Sequence, residues 1–137
     1  MKSSIVSIGT AVPANKLKQL EVAELISERL NLAPPKKRLL KSIYKATGID
    51  TRHSVISDNS FLSSATKQSA MLDLSTAGRM KLYKEHALPL ALSAIEQCMT
   101  AQKETRLSDI THVITVSCTG MYAPGLDIEI VHELQLR

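Results

Sequence analysis

The sequence has few aromatic residues, with no Trp, one Phe and three Tyr among its 137 residues. Proteins that hold single-stranded nucleic acid without sequence preference stack bases on exposed aromatic rings, so this composition argues against that class. The formal net charge of +4 is a modest excess. It fits either a surface that meets anionic ligands or simple solubility, and the charge alone does not separate the two.

Cysteine is also scarce, and the sequence has no long apolar run. Cys98 and Cys118 are the only cysteines, and no CxxC or HExxH spacing is present. The opening "MKSSIVSIGTAVP" is too short and too polar for a signal peptide, and no segment reaches the length of a membrane span. We therefore expect reduced thiols, no metal site, no membrane contact and a cytoplasmic location.

The first half of the chain alternates between strand and helix patterns. "SSIVSIGTAVP" predicts a buried strand over residues 4–9, and "LKQLEVAELISERLNL" predicts an amphipathic helix over 17–31. A second helix follows Pro34-Pro35, with Gly48 as its C-terminal stop. Its apolar residues are predicted to face inward; they are Leu39, Leu40, Ile43 and Tyr44. "IDTRHSVIS" then predicts a short strand.

The second half begins with a polar stretch, residues 57–76, which we interpret as a long loop. "RMKLYKEHALPLALSAIEQCMTA" predicts a long helix with Cys98 on its buried side. "HVITVS" predicts a strand over 112–117 that is covered on both faces. A last helix is predicted after Pro124-Gly125. The layout is α/β, with a mixed sheet and covering helices. We interpret residues 1–137 as one domain that is incomplete at its C-terminal end, since too few strands are present for such a sheet.

Several segments together resemble the type III polyketide synthases, the chalcone and stilbene synthase-like branch of the thiolase-fold condensing enzymes. They are "IVSIGTAVPANKLKQ", "IYKATGIDTRHSV", "LYKEHALPLALSAIEQCM" and "DITHVITVSCTGMYAPGLDIEIVHELQL". The last is similar to the bacterial members in particular. The resemblance covers nearly the whole chain, and the combination of "ITH", "SCTG" and "APGLD" at this spacing is specific.

The resemblance implies the N-terminal part of a thiolase-like fold, a homodimer, and no bound metal or prosthetic group. It implies an acyltransferase that condenses an acyl-CoA starter with malonyl-CoA by decarboxylative Claisen chemistry. The family's catalytic Cys, His and Asn are expected beyond Arg137, so the chain by itself is expected to be inactive.

Cys118 invites a different hypothesis, because a thiol beside a glycine at the end of a strand resembles a nucleophile. A nucleophilic cysteine needs a helix N-terminus or a nearby cation to lower its pKa. His112 lies six residues back on the same predicted strand, roughly 20 Å away at a strand's rise per residue. We therefore do not expect Cys118 to be the catalytic group. The resemblance implies that this position lines the pocket beside the nucleophile, and an inert buried thiol is the competing interpretation.

The rest of this segment supplies further pocket candidates. Thr119 and Gly120 stand at a strand's C-terminal end, where α/β sheets receive ligands. Gly120 is equally explained by a turn with positive φ. By the resemblance, Ala123 corresponds to a loop residue that borders the cavity of the partner subunit.

The second predicted helix carries a basic face, where Lys37, Lys41 and Lys45 are spaced four apart. Like charges at this spacing repel mildly, so an anion would relieve them. The resemblance implies that this helix holds the phosphates of CoA, and it assigns Lys41, Lys45 and Arg52 as CoA-binding candidates. A solvated basic face, with Arg52 in a structural ion pair, is the competing interpretation.

Two alternative functions remain open from the sequence. An initiating ketoacyl synthase of fatty-acid type would share the fold and use of CoA, but would pass its product to an acyl carrier protein. Its partner's acidic surface would then suit the basic helix. A naturally short, non-catalytic CoA-binding or dimerisation module is the other alternative.

Overall fold

The computed structural model of the protein describes residues 3–56 and 75–137. Most of the predicted loop over 57–76 therefore lies outside the described residues. The chain divides into two units. We call described residues 13–56 the paired-sheet unit. Described residues 3–12 and 75–137 together form the long-helix unit.

The paired-sheet unit has the order strand, helix, helix, strand. Strand β1 spans Asn15–Lys18, helix α1 Gln19–Arg29, helix α2 Pro34–Ala46 and strand β2 Thr51–Ser54. The two strands are antiparallel, with Asn15 opposite Ser54 and Lys18 opposite Thr51. The ladder is extended by a hydrogen bond of 2.9 Å from the Gln19 amide to the Asp50 carbonyl. Both predicted helices and the strand at β2 are confirmed.

The ends of α1 and α2 follow from ordinary capping chemistry. Asn31 adopts φ 46° just after α1, a left-handed conformation that Asn tolerates better than most residues. Pro34 and Pro35 occupy the first turn of α2, where a missing amide proton costs nothing. Gly48 follows α2 at φ 67°, which confirms the predicted glycine stop.

The core of the paired-sheet unit is narrow. One stripe of α1 is buried, comprising Gln19, Val22, Ala23 and Ser27. On α2, Leu40 and Tyr44 are half-buried, whereas Leu39 and Ile43 are more than half exposed. The prediction that all four apolar residues of α2 face inward is therefore wrong for Leu39 and Ile43.

The long-helix unit is built on helix α3, Thr76–Thr100, which continues through Pro89. The Ser75 hydroxyl caps its start by accepting a hydrogen bond of 3.1 Å from the Gly78 amide. A short 3₁₀ turn at Leu107–Asp109 follows, and helix α4 spans Leu126–Glu133 directly after Gly125. Ile130 of α4 is buried. The predicted long helix and final helix are confirmed.

The N-terminal segment contacts the last turns of α3 at Ser7 and Gly9. The Ser7 hydroxyl donates a hydrogen bond of 2.8 Å to the Cys98 carbonyl. A Cβ added at Gly9 would stand 2.0 Å from the Ala94 carbonyl oxygen, so only glycine permits this close approach. The Cys98 side chain is half-buried on this side of the helix, which agrees with its predicted packing role.

Two predicted strands do not form. Residues 4–9 and 112–117 are in no ladder, and β1–β2 is the single sheet within the described residues. Ile114 and Val116 are 85% and 93% exposed, which contradicts the prediction that 112–117 is covered on both faces. The pattern identified apolar segments correctly, but a strand also needs a neighbour to pair with, and the described residues provide none.

Candidate functional site

The basic face of α2 is partly neutralised by α1. Glu24 accepts from the Lys37 ammonium at 2.5 Å and also pairs with the Lys41 ammonium. Hydrogen bonds from Lys37 and then Lys41 lower the pKa of the Glu24 carboxyl, and the bond to Glu24 raises the pKa of Lys37. The row of three lysines was expected to attract an anion. For Lys37 and Lys41, the carboxylate of Glu24 already fills that role.

Lys45 lies one turn further along and borders an open cavity of about 370 Å³. The cavity has a mixed lining, with an aromatic ring, aliphatic side chains, lysines and the backbone of the turn after α2. The lining residues are Lys18, Gln19, Leu20, Tyr44, Lys45, Gly48, Ile49, Asp50 and Thr51. An exposed ammonium beside such a cavity can contact a phosphate without breaking an internal bond.

Within residues 3–56 and 75–137, Arg52 is held by a buried amide rather than by an ion pair. Its Nε donates to Gln19 Oε1, and its guanidinium lies 5.3 Å from the centroid of the Tyr44 ring. Gln19 is 1% exposed, and its Nε2 donates to the Thr47 hydroxyl at 3.2 Å. The network therefore joins the start of α1, the end of α2 and strand β2, and it fixes one edge of the Lys45 cavity.

Sequence reasoning missed the role of Gln19. A signal was present, because Gln19, Val22, Ala23 and Ser27 follow the three-and-four spacing of a helix face. The larger apolar residues of α1 suggested a different face.

The segment after residues 112–117 carries the other predicted site. The Ser117 hydroxyl donates to the Thr119 carbonyl at 2.6 Å, which closes a tight turn around Cys118. Cys118, Thr119 and Ala123 are all exposed. Gly120 adopts φ 78°, so the predicted positive φ is confirmed. All four predicted pocket residues lie in one short loop.

This loop rests on a small aromatic cluster that the sequence did not reveal. The Tyr122 hydroxyl donates to Glu129 Oε2 of α4 at 2.6 Å, and the Tyr122 ring meets the Tyr83 ring edge-on at 6.2 Å between centroids. Burial, followed by the bond to Glu129, raises the pKa of Tyr122 to about 12. The phenol is therefore a stable donor rather than an acid catalyst at neutral pH.

The long-helix unit also has a wider, mostly apolar groove of about 660 Å³. It runs along α3 and reaches the 3₁₀ turn and α4. The lining residues are Pro89, Leu92, Ser93, Ile95, Glu96, Met99, Thr100, Leu107, Glu133 and Leu134. None of the predicted site residues belongs to it.

Residues 3–56 and 75–137 contain no group of three or more metal-ligating side chains. Across the same residues, no helix combines the length and apolar character that a membrane crossing requires.

A comparison with protein families decides the membership of the chain. The model described as "Chalcone and stilbene synthases, N-terminal domain" matches residues 1–137. The chain belongs to the chalcone and stilbene synthase family. The resemblance drawn from the sequence motifs is thereby confirmed, and so is the expected α/β class.

Relatives of this chalcone and stilbene synthase N-terminal domain are polyketide synthases. The "Alpha-pyrone synthesis polyketide synthase-like Pks18" of Mycobacterium tuberculosis is 29% identical over 134 residues, covering 96% of this chain. The crystal structure of the type III polyketide synthase domain of Steely1 from Dictyostelium superposes with a TM-score of 0.77 at 23% identity, covering 97% of this chain and 36% of that one.

A third relative has a bound ligand. A variant of CsyB complexed with CoA-SH is 29% identical, with a TM-score of 0.75, covering 98% of this chain and 34% of that one. The chain spans 32% of the length of Pks18. The matched region in each case is thus about a third of the relative.

Proposed function

We propose that the chain is the N-terminal part of a type III polyketide synthase that condenses an acyl-CoA starter with malonyl-CoA. The observation that carries this proposal is the family match over residues 1–137. The Pks18 and CsyB relatives point to the same class, whereas nothing favours an initiating ketoacyl synthase or a non-catalytic module. The enzyme is proposed to be a cytoplasmic homodimer.

The proposed reaction needs no metal and no prosthetic group. A cysteine thiolate outside residues 1–137 attacks the starter thioester, an acyl–cysteine thioester forms, and CoA leaves as a thiolate that takes up a proton from solvent. Malonyl-CoA loses CO₂ to give an enolate, whose carbon attacks the acyl thioester. A carbon–carbon bond forms, and the cysteine thiolate departs. The His and Asn that stabilise the enolate and the oxyanion are also assigned outside this chain.

The paired-sheet unit is proposed to hold the phosphates of CoA. Lys45 is the strongest candidate, because its ammonium is exposed beside the cavity. Arg52 lies at the edge of the same unit, where Gln19 fixes its orientation. Lys41 contributes only in competition with Glu24, which already binds its ammonium. The CoA bound in the CsyB structure supports this choice of ligand.

The loop from Cys118 to Ala123 is proposed to form part of the acyl pocket. Cys118 shapes that pocket and is not the nucleophile. Its thiol is exposed, and no hydrogen bond to its sulfur is formed within the described residues. A catalytic thiol requires such a partner or a cation to favour its thiolate.

The experiment is a condensation assay on the full-length enzyme with an acyl-CoA starter and malonyl-CoA. We expect release of CO₂ and a polyketide product detected by mass spectrometry. Lys45→Ala should raise KM for the starter roughly three- to tenfold with little change in kcat, because one phosphate contact is lost. Lys103→Ala, which removes an equal charge from an exposed position in the long-helix unit, should leave KM unchanged.

The same assay distinguishes the fatty-acid alternative. A ketoacyl synthase would use malonyl-acyl carrier protein and ignore malonyl-CoA as extender. Turnover only with the carrier protein, or no carbon–carbon bond formation with either extender, would overturn the proposal.

A further inference from the structure

The loop from Cys118 to Ala123 is anchored to α3 through Gly120. A Cβ added at Gly120 would stand 2.0 Å from Cδ1 and 2.2 Å from Cε1 of Tyr83. The Tyr83 ring therefore occupies the space that a side chain at this position would need. The positive φ of Gly120 brings the backbone onto the ring, and no other residue type could be accommodated without moving it.

A second anchor lies two residues further on, at Tyr122. Its hydroxyl is bonded to Glu129 of α4, and its ring meets the edge of the Tyr83 ring with an interplanar angle of 66°. The Lys84 ammonium lies 5.4 Å from the centroid of the same ring. Tyr122 is thus contacted from two helices, by a hydrogen bond, an aromatic edge and a cation.

The two anchors determine which side chains the loop presents. Gly120 and Tyr122 both face Tyr83, and the residues after each of them, Met121 and Ala123, are exposed, Met121 at 90%. A short loop that is fixed at alternate residues has little freedom at the residues between. The contacts of Gly120 and Tyr122 therefore fix the positions of the exposed side chains of Met121 and Ala123.

We propose that Tyr83 and Tyr122 are positioning residues for the acyl pocket, with Glu129 holding Tyr122 in place. The proposal rests on the proposed function, in which this loop is a wall of the pocket. Neither tyrosine needs to touch the substrate. Each acts by keeping the wall in one conformation, so that starters of different size are discriminated.

Tyr122→Phe tests the anchor with the smallest change, because it removes only the hydroxyl. We expect faster amide hydrogen exchange over residues 117–123 and unchanged exchange within α3. The phenol that ionises near pH 12 should disappear from the alkaline absorbance titration. In the full-length enzyme, the ratio of kcat/KM between a preferred starter and a longer acyl-CoA should fall about three- to tenfold.

Two variants of Glu129 test its hydrogen bond with Tyr122, one by retaining the acceptor and one by removing it. Glu129→Gln retains an oxygen acceptor and should preserve both slow exchange and the starter ratio. Glu129→Leu removes the acceptor and should reproduce Tyr122→Phe. Ser108→Ala, which removes an exposed hydroxyl elsewhere in the long-helix unit, is the matched control and should change neither readout.

Unchanged exchange over 117–123 in both Tyr122→Phe and Glu129→Leu would overturn the anchor. Faster exchange with an unchanged starter ratio would assign the tyrosines to stability alone, and would likewise overturn the proposal. An inactive wild-type enzyme would instead refute the proposed function, and the exchange arm would still decide whether the anchor exists.

Discussion

Strand β1 and the apolar segment 112–117 show opposite relations between sequence and structure. β1 has the sequence "NKLK", with little preference for strands, yet it pairs with β2 over four residues. "HVITVS" is rich in β-branched residues, yet it forms no ladder and exposes Ile114 and Val116. The comparison shows that an available pairing partner decides strand formation, while propensity only describes which residues suit a sheet.

The largest effect is expected from testing whether residues 112–117 pair with another chain. Exposed apolar segments of this kind promote pairing between chains, so we expect the 137-residue chain to self-associate. Burying a Val or Ile side chain contributes about 1.5–3 kcal/mol, so Val116→Lys should weaken association by about tenfold or more. Sedimentation velocity across a range of concentrations measures the change.

Ala101→Lys adds the same charge at the exposed end of α3 and should leave association unaltered. A chain that stays monomeric at all concentrations would show that residues 112–117 do not promote pairing between chains.

The next largest effect is expected where the paired-sheet unit is tied together. Gln19→Leu keeps the side-chain size but leaves Arg52 and Thr47 without their amide partner. Loss of a buried partner costs about 1–3 kcal/mol in the free energy of unfolding, measured by urea denaturation. Gln97→Leu, at an exposed position of α3, should stay within about 0.5 kcal/mol of wild type. A variant at Gln19 as stable as the Gln97 control would show that the network contributes little.

The local features of the fold could be predicted from the sequence. Helical spacing located each of the four helices that lie within residues 3–56 and 75–137, and Pro34, Gly48 and Gly125 marked boundaries that the structure confirms. The strands could not be predicted equally well, because β1 depends on its ladder with β2 and its residues were assigned partly to α1. The failure of 4–9 and 112–117 has the same physical origin, since pairing is a non-local property.

The candidate site divides in the same way. Motif resemblance found the loop at Cys118 and the basic helix, and the positive φ of Gly120 followed from its residue type. Which lysines are already paired could not be predicted, because Glu24 reaches Lys37 and Lys41 only once α1 packs on α2. Tyr83 lies far from Tyr122 in the sequence, and Glu129 belongs to no motif. Their contacts with Tyr122 could therefore be found only in the structure.

The smallest expected effect concerns the ion pairs of Glu24. Its pKa is lowered on folding from an ordinary value of 4.5, so its contribution to stability is present above pH 4.5 and is lost as the pH falls through the folded value. Glu24→Gln should therefore lower the urea midpoint slightly at pH 7, and the difference from wild type should shrink as the pH falls below 4.5. Glu104→Gln, in the long-helix unit, serves as the control. A difference that is constant with pH would exclude the ion pairs as its source.

The central claim is that residues 1–137 supply binding surfaces while the nucleophilic cysteine lies outside them. The most direct test is to measure which chain becomes acylated by an acyl-CoA. The 137-residue chain is incubated with an acyl-CoA and analysed by intact mass, beside the full-length enzyme and its Cys118→Ser variant. We predict no adduct on the chain and a stoichiometric acyl adduct on the full-length enzyme that persists in Cys118→Ser. A stoichiometric adduct on the chain that disappears in Cys118→Ser would contradict the account.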